Sequence, residues 1–220
     1  VTKQNSQRPD PFLDKLLSKM GCEFEPEDVP VRAENYATLL NCYPNVNEKV
    51  KRDSGKAHYG WLIHKTKYLY EAERHAVWEN EEGELVDVTP YEPAEVEIKF
   101  VSDNNWVYSG KRVDNIRVNR TTNLLVDDFI LLAEAESQAL SYSSHISGNA
   151  YSIPELADTV AGHFRKLKLD LLDYINIGGK PYSACYCGLQ KTYKSCHGRL
   201  LPENIKLILA KLQNRLSNPD

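Results

Sequence analysis

Residues 42–90 read CYPNVNEKVKRDSGKAHYGWLIHKTKYLYEAERHAVWENEEGELVDVTP, and three of them, Cys42, His75 and Asp87, decide how the chain is read. Pro44 to Asp53 suits a helix, because proline is tolerated in a first turn and Ser54-Gly55 stops the run. Cys42 then stands at a helix N-terminus, where unpaired N–H groups and the positive end of the dipole attract negative charge. Its own N–H is placed to meet a developing oxyanion. Ala57 to His64 alternates Tyr59, Trp61 and Ile63 with other residues and reads as a strand. Tyr68 to Trp78 reads as a second strand carrying His75, and Leu85 to Val88 as a third, after a turn over Asn80 to Gly83. The last two form a hairpin, which makes His75 and Asp87 cross-strand neighbours. A thiol, an imidazole and a carboxylate so placed are a nucleophile, a base and an orienting group.

Over residues about 35–100 this order resembles the core of the transglutaminase-like and papain-like cysteine hydrolases. The carriers are His75-Ala76-Val77-Trp78-Glu79 and Asp87-Val88-Thr89-Pro90. The resemblance implies a nucleophilic Cys42, a base His75 and an orienting Asp87. Leu40-Asn41-Cys42-Tyr43 stands where that family has a glycine-rich approach and a tryptophan, and no glutamine precedes Cys42. Asn35, Asn41 and Asn45 are the alternatives for a second oxyanion donor, with spacing not choosing among them. Glu73 shares a strand face with His75 and is read as a tuning, substrate-binding or solvated carboxylate. Trp61 and Trp78 are read first as core and second as substrate subsites. A competing arrangement has Cys42, Glu73, His75 and Asp87 bind a metal.

The second constellation is Cys185-x-Cys187, eight residues, then Cys196-His197. Three thiolates and an imidazole match the closed tetrahedral site of structural Zn²⁺, and Gly188 and Gly198 let the backbone turn tightly. Over residues about 181–200 this resembles the SEC-C motif, the small zinc module at the C-terminus of the bacterial preprotein translocase ATPase and of many otherwise unrelated proteins. Cys-x-Cys-Gly, Tyr193-Lys194 and Cys-His-Gly carry it, while Gly188-Leu189 departs from the usual Ser-Gly. The resemblance implies that the module binds protein partners or docks other domains. Leu200 to Leu216 continues as a basic amphipathic helix.

Outward from these motifs, residues 1–10 are polar and read as loose, and Pro11 to Met20 as a short amphipathic helix ended by Gly21. Residues 22–34, with Pro26 and Pro30, are expected to be irregular, and Cys22 there is read as a structural thiol. Residues 92–120 are expected to add strands. Leu124 to Ala139 reads as a helix capped by Asn123, Ser141 to Ser152 as a polar loop, and Pro154 to Tyr174 as a long helix with His163 packed on its apolar stripe.

Length and composition suit a soluble globular protein of one large or two small domains. No apolar run approaches a membrane span, and no signal peptide is read. The chain starts at Val1 and its one methionine is Met20, so the N-terminus is expected to be trimmed. Five cysteines, three clustered beside a histidine, favour metal ligation over a disulfide framework, hence a reducing compartment such as the cytoplasm. The net charge of −4 gives no global pull towards nucleic acid. Residues 180–220, however, hold seven Lys and Arg against two Asp and Glu, which leaves an anionic partner open.

The expected fold is α+β: a helix and antiparallel sheet of the papain/transglutaminase-like type over residues 1–120, a helical region over 121–179, and a zinc-binding module with its basic helix over 180–220. The expected function is thiol-dependent hydrolysis or acyl transfer at an amide, peptide or isopeptide bond, with the zinc tail docking a protein or peptide partner. The rivals are a non-enzymatic zinc-binding adaptor on a hydrolase-like fold and a metal-dependent enzyme using the Glu73/His75 face.

Overall fold

The structure is a computed structural model that describes residues 10–147 and 150–218. The loose stretch expected over residues 1–10 lies outside them, apart from Asp10. The chain is α+β and divides into two compact units: Val1–Val107 with Ile116–Arg120, and Tyr108–Asn115 with Thr121–Asp220. The helical stretch and the Cys/His segment thus share one unit. Among the described residues no helix is long and apolar enough to cross a membrane.

The first unit is built on strands β1 (Glu27–Pro30), β2 (Lys56–Lys65), β3 (Leu69–Glu79), β4 (Leu85–Val86), β5 (Glu97–Ser102) and β6 (Ile116–Asn119). Their order is β1-β5-β2-β3-β4, all antiparallel, with β6 also on β3. β1 was not legible in the sequence: a short edge strand accepts Pro30 at its end, and its pairing with β5 is long-range. It also closes the sheet. Just past it, Val31 forms a parallel bridge with Asp87, through Asp87 N–H to Pro30 O at 2.9 Å and Arg32 N–H to Asp87 O at 2.8 Å. The sheet is therefore a ring with an inside and an outside.

Alternation sorts the side chains. Val29, Leu62, Val77, Ile98 and Phe100 pack inside. Trp61, Ile63, Tyr70, Ala72, Val101 and Val118 face out and are covered by Leu16 of α1 (Pro11–Met20). Ala76, Val86 and Val88 face out against Val46 of α2 (Cys42–Asp53). Each such large aliphatic side chain contributes about 1.5–3 kcal/mol on burial. Asp10 caps α1 and Gly21 ends it in the left-handed region at φ 65°. Gly60 is required for another reason: a Cβ there would overlap Val101 O and the Phe100 ring that fills the interior. Inward-facing polar groups are satisfied in pairs, with His58 bonded to Glu79 Oε2 at 2.7 Å and to Ser102 Oγ at 2.9 Å.

The second unit holds α3 (Leu125–Leu140), the strand pair β7 (Ser144–Ser147) and β8 (Ala150–Ser152), α4 (Glu155–Asn176) and α5 (Leu201–Ser217). The N-cap of α3 is Leu124, without a side-chain cap bond, and not the expected Asn123, which sits one residue earlier and accepts the Leu125 N–H at 3.2 Å. The polar loop expected over 141–152 instead contains the antiparallel β7–β8 pair. Ala139, Ala157, Ala161 and Leu212 form the core where α3, α4 and α5 meet, small residues allowing close approach. His163 is exposed rather than packed on the stripe.

Candidate active site and metal centre

β3 carries His75 and pairs along its outer edge with β6 over residues 69–72 and with β4 over 78–79. Between those partners lies the stretch containing Glu73 and His75. Trp78 faces Val86, so the register continued by one residue sets Asp87 opposite Val77, diagonal to His75 and on its face. His75 Nε2–H donates to Asp87 Oδ2 at 2.8 Å, with both side chains buried. Asp87 Oδ1 accepts the Thr89 N–H at 2.8 Å. Cys42 lies on the same cavity wall as His75, near enough for its charge to act on the imidazole.

Burial of the ring opposes its cation. The negative charge on Cys42 and the hydrogen bond with Asp87 outweigh it, and His75 is pushed up to about 10. Burial likewise works against the Asp87 carboxylate, but the bonds from His75, Tyr91 and Thr89 hold it below the usual range. Cys42 and His75 share the wall of a cavity of about 270 Å³.

Tyr91 is a residue the sequence reading missed. Its hydroxyl donates to Asp87 Oδ2 at 2.5 Å and lies 3.3 Å from His75 Nε2. Burial and the Asp87 charge push the phenol strongly upward, so it stays a donor. The signal was an extended run Asp87-Val88-Thr89-Pro90-Tyr91, in which alternate residues share a side. His64 was missed too: it lines the cavity and bonds Glu73 Oε2 through Nε2 at 3.1 Å.

The remaining sequence candidates fall as follows. Glu73 lines the cavity; Asn45, Trp61 and Trp78 do not. Asn45 is buried and staples the loop before Cys42, accepting from Thr38 N–H at 3.0 Å and donating to Thr38 O at 2.8 Å and Thr89 Oγ1 at 3.3 Å. Its amide is committed to that loop and not to an oxyanion. Asn41 donates to Leu39 O at 3.0 Å, and Asn35 lies exposed in a turn. Trp61 is a core ring under the Arg74 guanidinium at 3.8 Å. Trp78 donates to Ser54 O at 2.9 Å. Cys22 sits apart, its thiol pushed up by burial and by the Asp103 charge.

Among the described residues one group of His, Cys, Asp and Glu side chains converges as metal ligands do: Cys185, Cys187, Cys196 and His197, whose ligand atoms lie within 4.8 Å of one another. This corrects the idea of a metal held by Cys42, Glu73, His75 and Asp87, whose carboxylates are taken up by the imidazoles His75 and His64. The segment folds from local bonds. Cys185 N–H reaches Lys191 O at 2.9 Å, Gly188 turns at φ 77°, and Thr192 caps the 3-10 turn Tyr193–Ser195. Gly198 lies so close to the Tyr193 ring that a Cβ would collide with it. Cys185 Sγ is 3.1 Å from His197 Nδ1, Cys187 Sγ 3.6 Å from Cys196 Sγ, and Cys196 Sγ 3.5 Å from His197 Nδ1. Ligands about 2.0–2.3 Å from a tetrahedral ion lie roughly 3.5–3.8 Å apart; the Cys187–Cys196 and Cys196–His197 separations fall in that range and Cys185–His197 is shorter, and the donor set is one that suits a metal ion.

Comparison with protein-family models, with curated proteins and with solved structures finds no match to this chain.

Proposed function

We propose that the first unit is a cysteine hydrolase or acyltransferase core of the transglutaminase-like or papain-like type, acting on an amide, peptide or isopeptide bond. The observation that carries the reading is one buried imidazole bonded to Asp87 at 2.8 Å and sharing the wall of one cavity with Cys42. The atoms balance as follows. The Cys42 thiolate adds to the carbonyl carbon and a C–S bond forms. His75 gives its proton to the leaving nitrogen as the C–N bond breaks. Water then gives a proton to His75 and attacks the thioester; the C–S bond breaks and the thiolate returns. An amine in place of water gives transamidation. Asp87 keeps His75 oriented, Tyr91 keeps Asp87 a carboxylate, and the Cys42 N–H at the start of α2 faces the oxyanion.

For the second unit the reading is a structural zinc module of the SEC-C kind, with Cys185, Cys187, Cys196 and His197 as ligands and a protein or peptide as docking partner. When bound, the ion cross-links a segment that has little core of its own. One observation favours the adaptor alternative: the committed Asn45 amide leaves the oxyanion without a side-chain donor from the α2 entry.

The test is site-mapped labelling of the metal-loaded protein with iodoacetamide at neutral pH. Cys42 should react at least about tenfold faster than Cys22, since burial suppresses the latter thiol, and His75→Ala should remove the difference. Equal labelling of the two thiols would defeat the catalytic reading.

A further inference from the structure

Towards the start of β2, four polar side chains meet that take no part in the Cys42 cavity. They are Glu27 of β1, His58 of β2, Glu79 of β3 and Ser102 of β5, and none of them lines that cavity. Alternation puts them on the interior face, with Val29, Leu62, Val77 and Phe100. His58 Nδ1 lies 2.7 Å from Glu79 Oε2, and His58 Nε2 lies 2.9 Å from Ser102 Oγ. A carboxylate only accepts, so in the neutral ring Nδ1–H donates to Glu79 and Nε2 accepts the Ser102 O–H. The competing acceptor, Glu27 Oε1, is farther from Ser102 Oγ, at 3.4 Å, and belongs to an exposed residue. Burial works against the Glu79 carboxylate, but Lys56, 2.9 Å from Oε1, and His58 hold it below the usual range. Ser102 is 6% exposed, and the His58 and Glu79 side chains 16% each, which opens one edge of the cluster to solvent. The backbone adds a donor. Asp103 N–H reaches Tyr59 O at 3.0 Å, so Gly60 and Ser102 form the non-hydrogen-bonded pair next to it. The Ser102 N–H therefore points away from β2, to the side where the last β1 pair is Glu27 with Phe100, two residues short of it.

We propose that Ser102, His58 and Glu79 form a second nucleophilic centre, a serine esterase site for small acyl esters that works without Cys42. Ser102 is the nucleophile, His58 the base, and Glu79 the positioning residue that fixes the ring. Ser102 Oγ adds to the ester carbonyl carbon as its proton passes to His58 Nε2. The ester C–O bond then breaks, and the leaving alkoxide takes that proton as an alcohol. Water gives a proton to His58 and attacks the acyl-serine; the Oγ–C bond breaks and Oγ regains the proton. The Ser102 N–H faces the oxyanion. One backbone donor suits an ester, whose alkoxide leaves more readily than an amide nitrogen. The small exposure of Ser102 limits the acyl group to a short one.

The experiment treats the full chain with phenylmethanesulfonyl fluoride at neutral pH and maps the sulfonylated serines by mass spectrometry. Ser102 should react at least about 100-fold faster than the exposed Ser54 and Ser141. His58→Gln should lower the Ser102 rate by about 100-fold. Glu79→Gln should lower its maximal rate by about tenfold or more and leave the half-saturating reagent concentration unchanged, and Glu79→Asp should restore part of the rate. A purely structural role for Glu79 would not separate the two constants in this way. Hydrolysis of p-nitrophenyl acetate by Cys42→Ala should fall in step with the sulfonylation of Ser102. The wild-type rate decides the matter even where a variant fails to fold. Ser102 left unmodified in the wild-type chain, or modified no faster than Ser54 and Ser141, overturns the proposal and leaves the Cys42 reading standing. Ester turnover that persists in Cys42→Ala once Ser102 is fully sulfonylated overturns it as well.

Discussion

Replacing Asp87 by asparagine tests the site most directly, because the two side chains have the same shape. The Thr89 N–H can still donate to an amide oxygen at the Oδ1 position. The amide nitrogen then falls where Oδ2 stood, facing two donors, the His75 Nε2–H at 2.8 Å and the Tyr91 hydroxyl at 2.5 Å. A hydrogen bond to a charged group is worth about 1.5–3 kcal/mol, and a buried donor left unmet costs about 1–3 kcal/mol. At about 1.4 kcal/mol per pH unit, loss of the first lowers the His75 titration midpoint by roughly 1–2 units. Together the two terms cost about 2.5–6 kcal/mol of stability. The pH window follows from the direction of each shift. His75 is raised, from 6.5 to about 10, so its contribution is complete below pH 6.5 and is lost as pH rises through about 10. Asp87 is lowered, so its contribution is complete above the ordinary carboxylate value and is lost as pH falls through its lower folded value. The difference in urea-unfolding free energy between wild type and Asp87→Asn should therefore be largest between about pH 4 and 6.5 and shrink towards pH 10. Carbon-13 NMR of labelled histidine reads the His75 midpoint directly. A wild-type midpoint at or below the unperturbed value, or one that Asp87→Asn leaves in place, would refute the charged dyad.

Three further outcomes are expected. Tyr91→Phe removes one donor from a buried carboxylate and should cost about 1–2 kcal/mol in urea unfolding at pH 7; a cost near zero would mean the phenol bond is idle. Leu40→Gly relieves a left-handed leucine worth about 1–2 kcal/mol of strain and adds up to about 1 kcal/mol of chain entropy, so it should leave stability unchanged or raise it by about 1 kcal/mol. A clear loss would show that Leu40 packs for stability. Elemental analysis should find one zinc per chain, and its removal by a chelator should abolish amide-exchange protection over residues 180–199. Protection that survives a metal-free preparation would count against a structural ion.

The legible parts of the sequence were those set by short-range rules. Gly21 ends α1, Ser54-Gly55 stops α2, and period-two runs mark β2 and β3, since caps, turns and alternation act within a few residues. The Cys185–His197 spacing was legible for the same reason. Hidden were features that depend on which strands meet. β1 is only four residues long and is defined by β5, so no periodicity announces it. Asn45 was one of three alternatives, with Asn35 and Asn41, for an oxyanion donor because it lies near Cys42 in sequence. Its partners Thr38 and Thr89 show it to be a staple, which only the folded loop reveals. His64 became part of the site through the β2–β3 register, in which even-numbered residues of β2 face the side of His75.

The ring closure explains why the site is set before any ligand arrives. Asp87 holds its place through its backbone as well as its side chain, with its N–H bonded to Pro30 O and its C=O to Arg32 N–H across the seam that joins β4 to the end of β1. Its carboxylate is then aimed by alternation at the interior, where His75 and Tyr91 meet it. The side chain has little freedom left to lose on orienting His75, which is the condition under which a hydrogen bond to a charged group keeps most of its worth. The same coupling makes the seam vulnerable, because a change that opens the Val31–Asp87 bridge moves the carboxylate with it. The short and sequence-silent β1 is therefore as much a part of the candidate site's scaffold as the helix that carries the thiol.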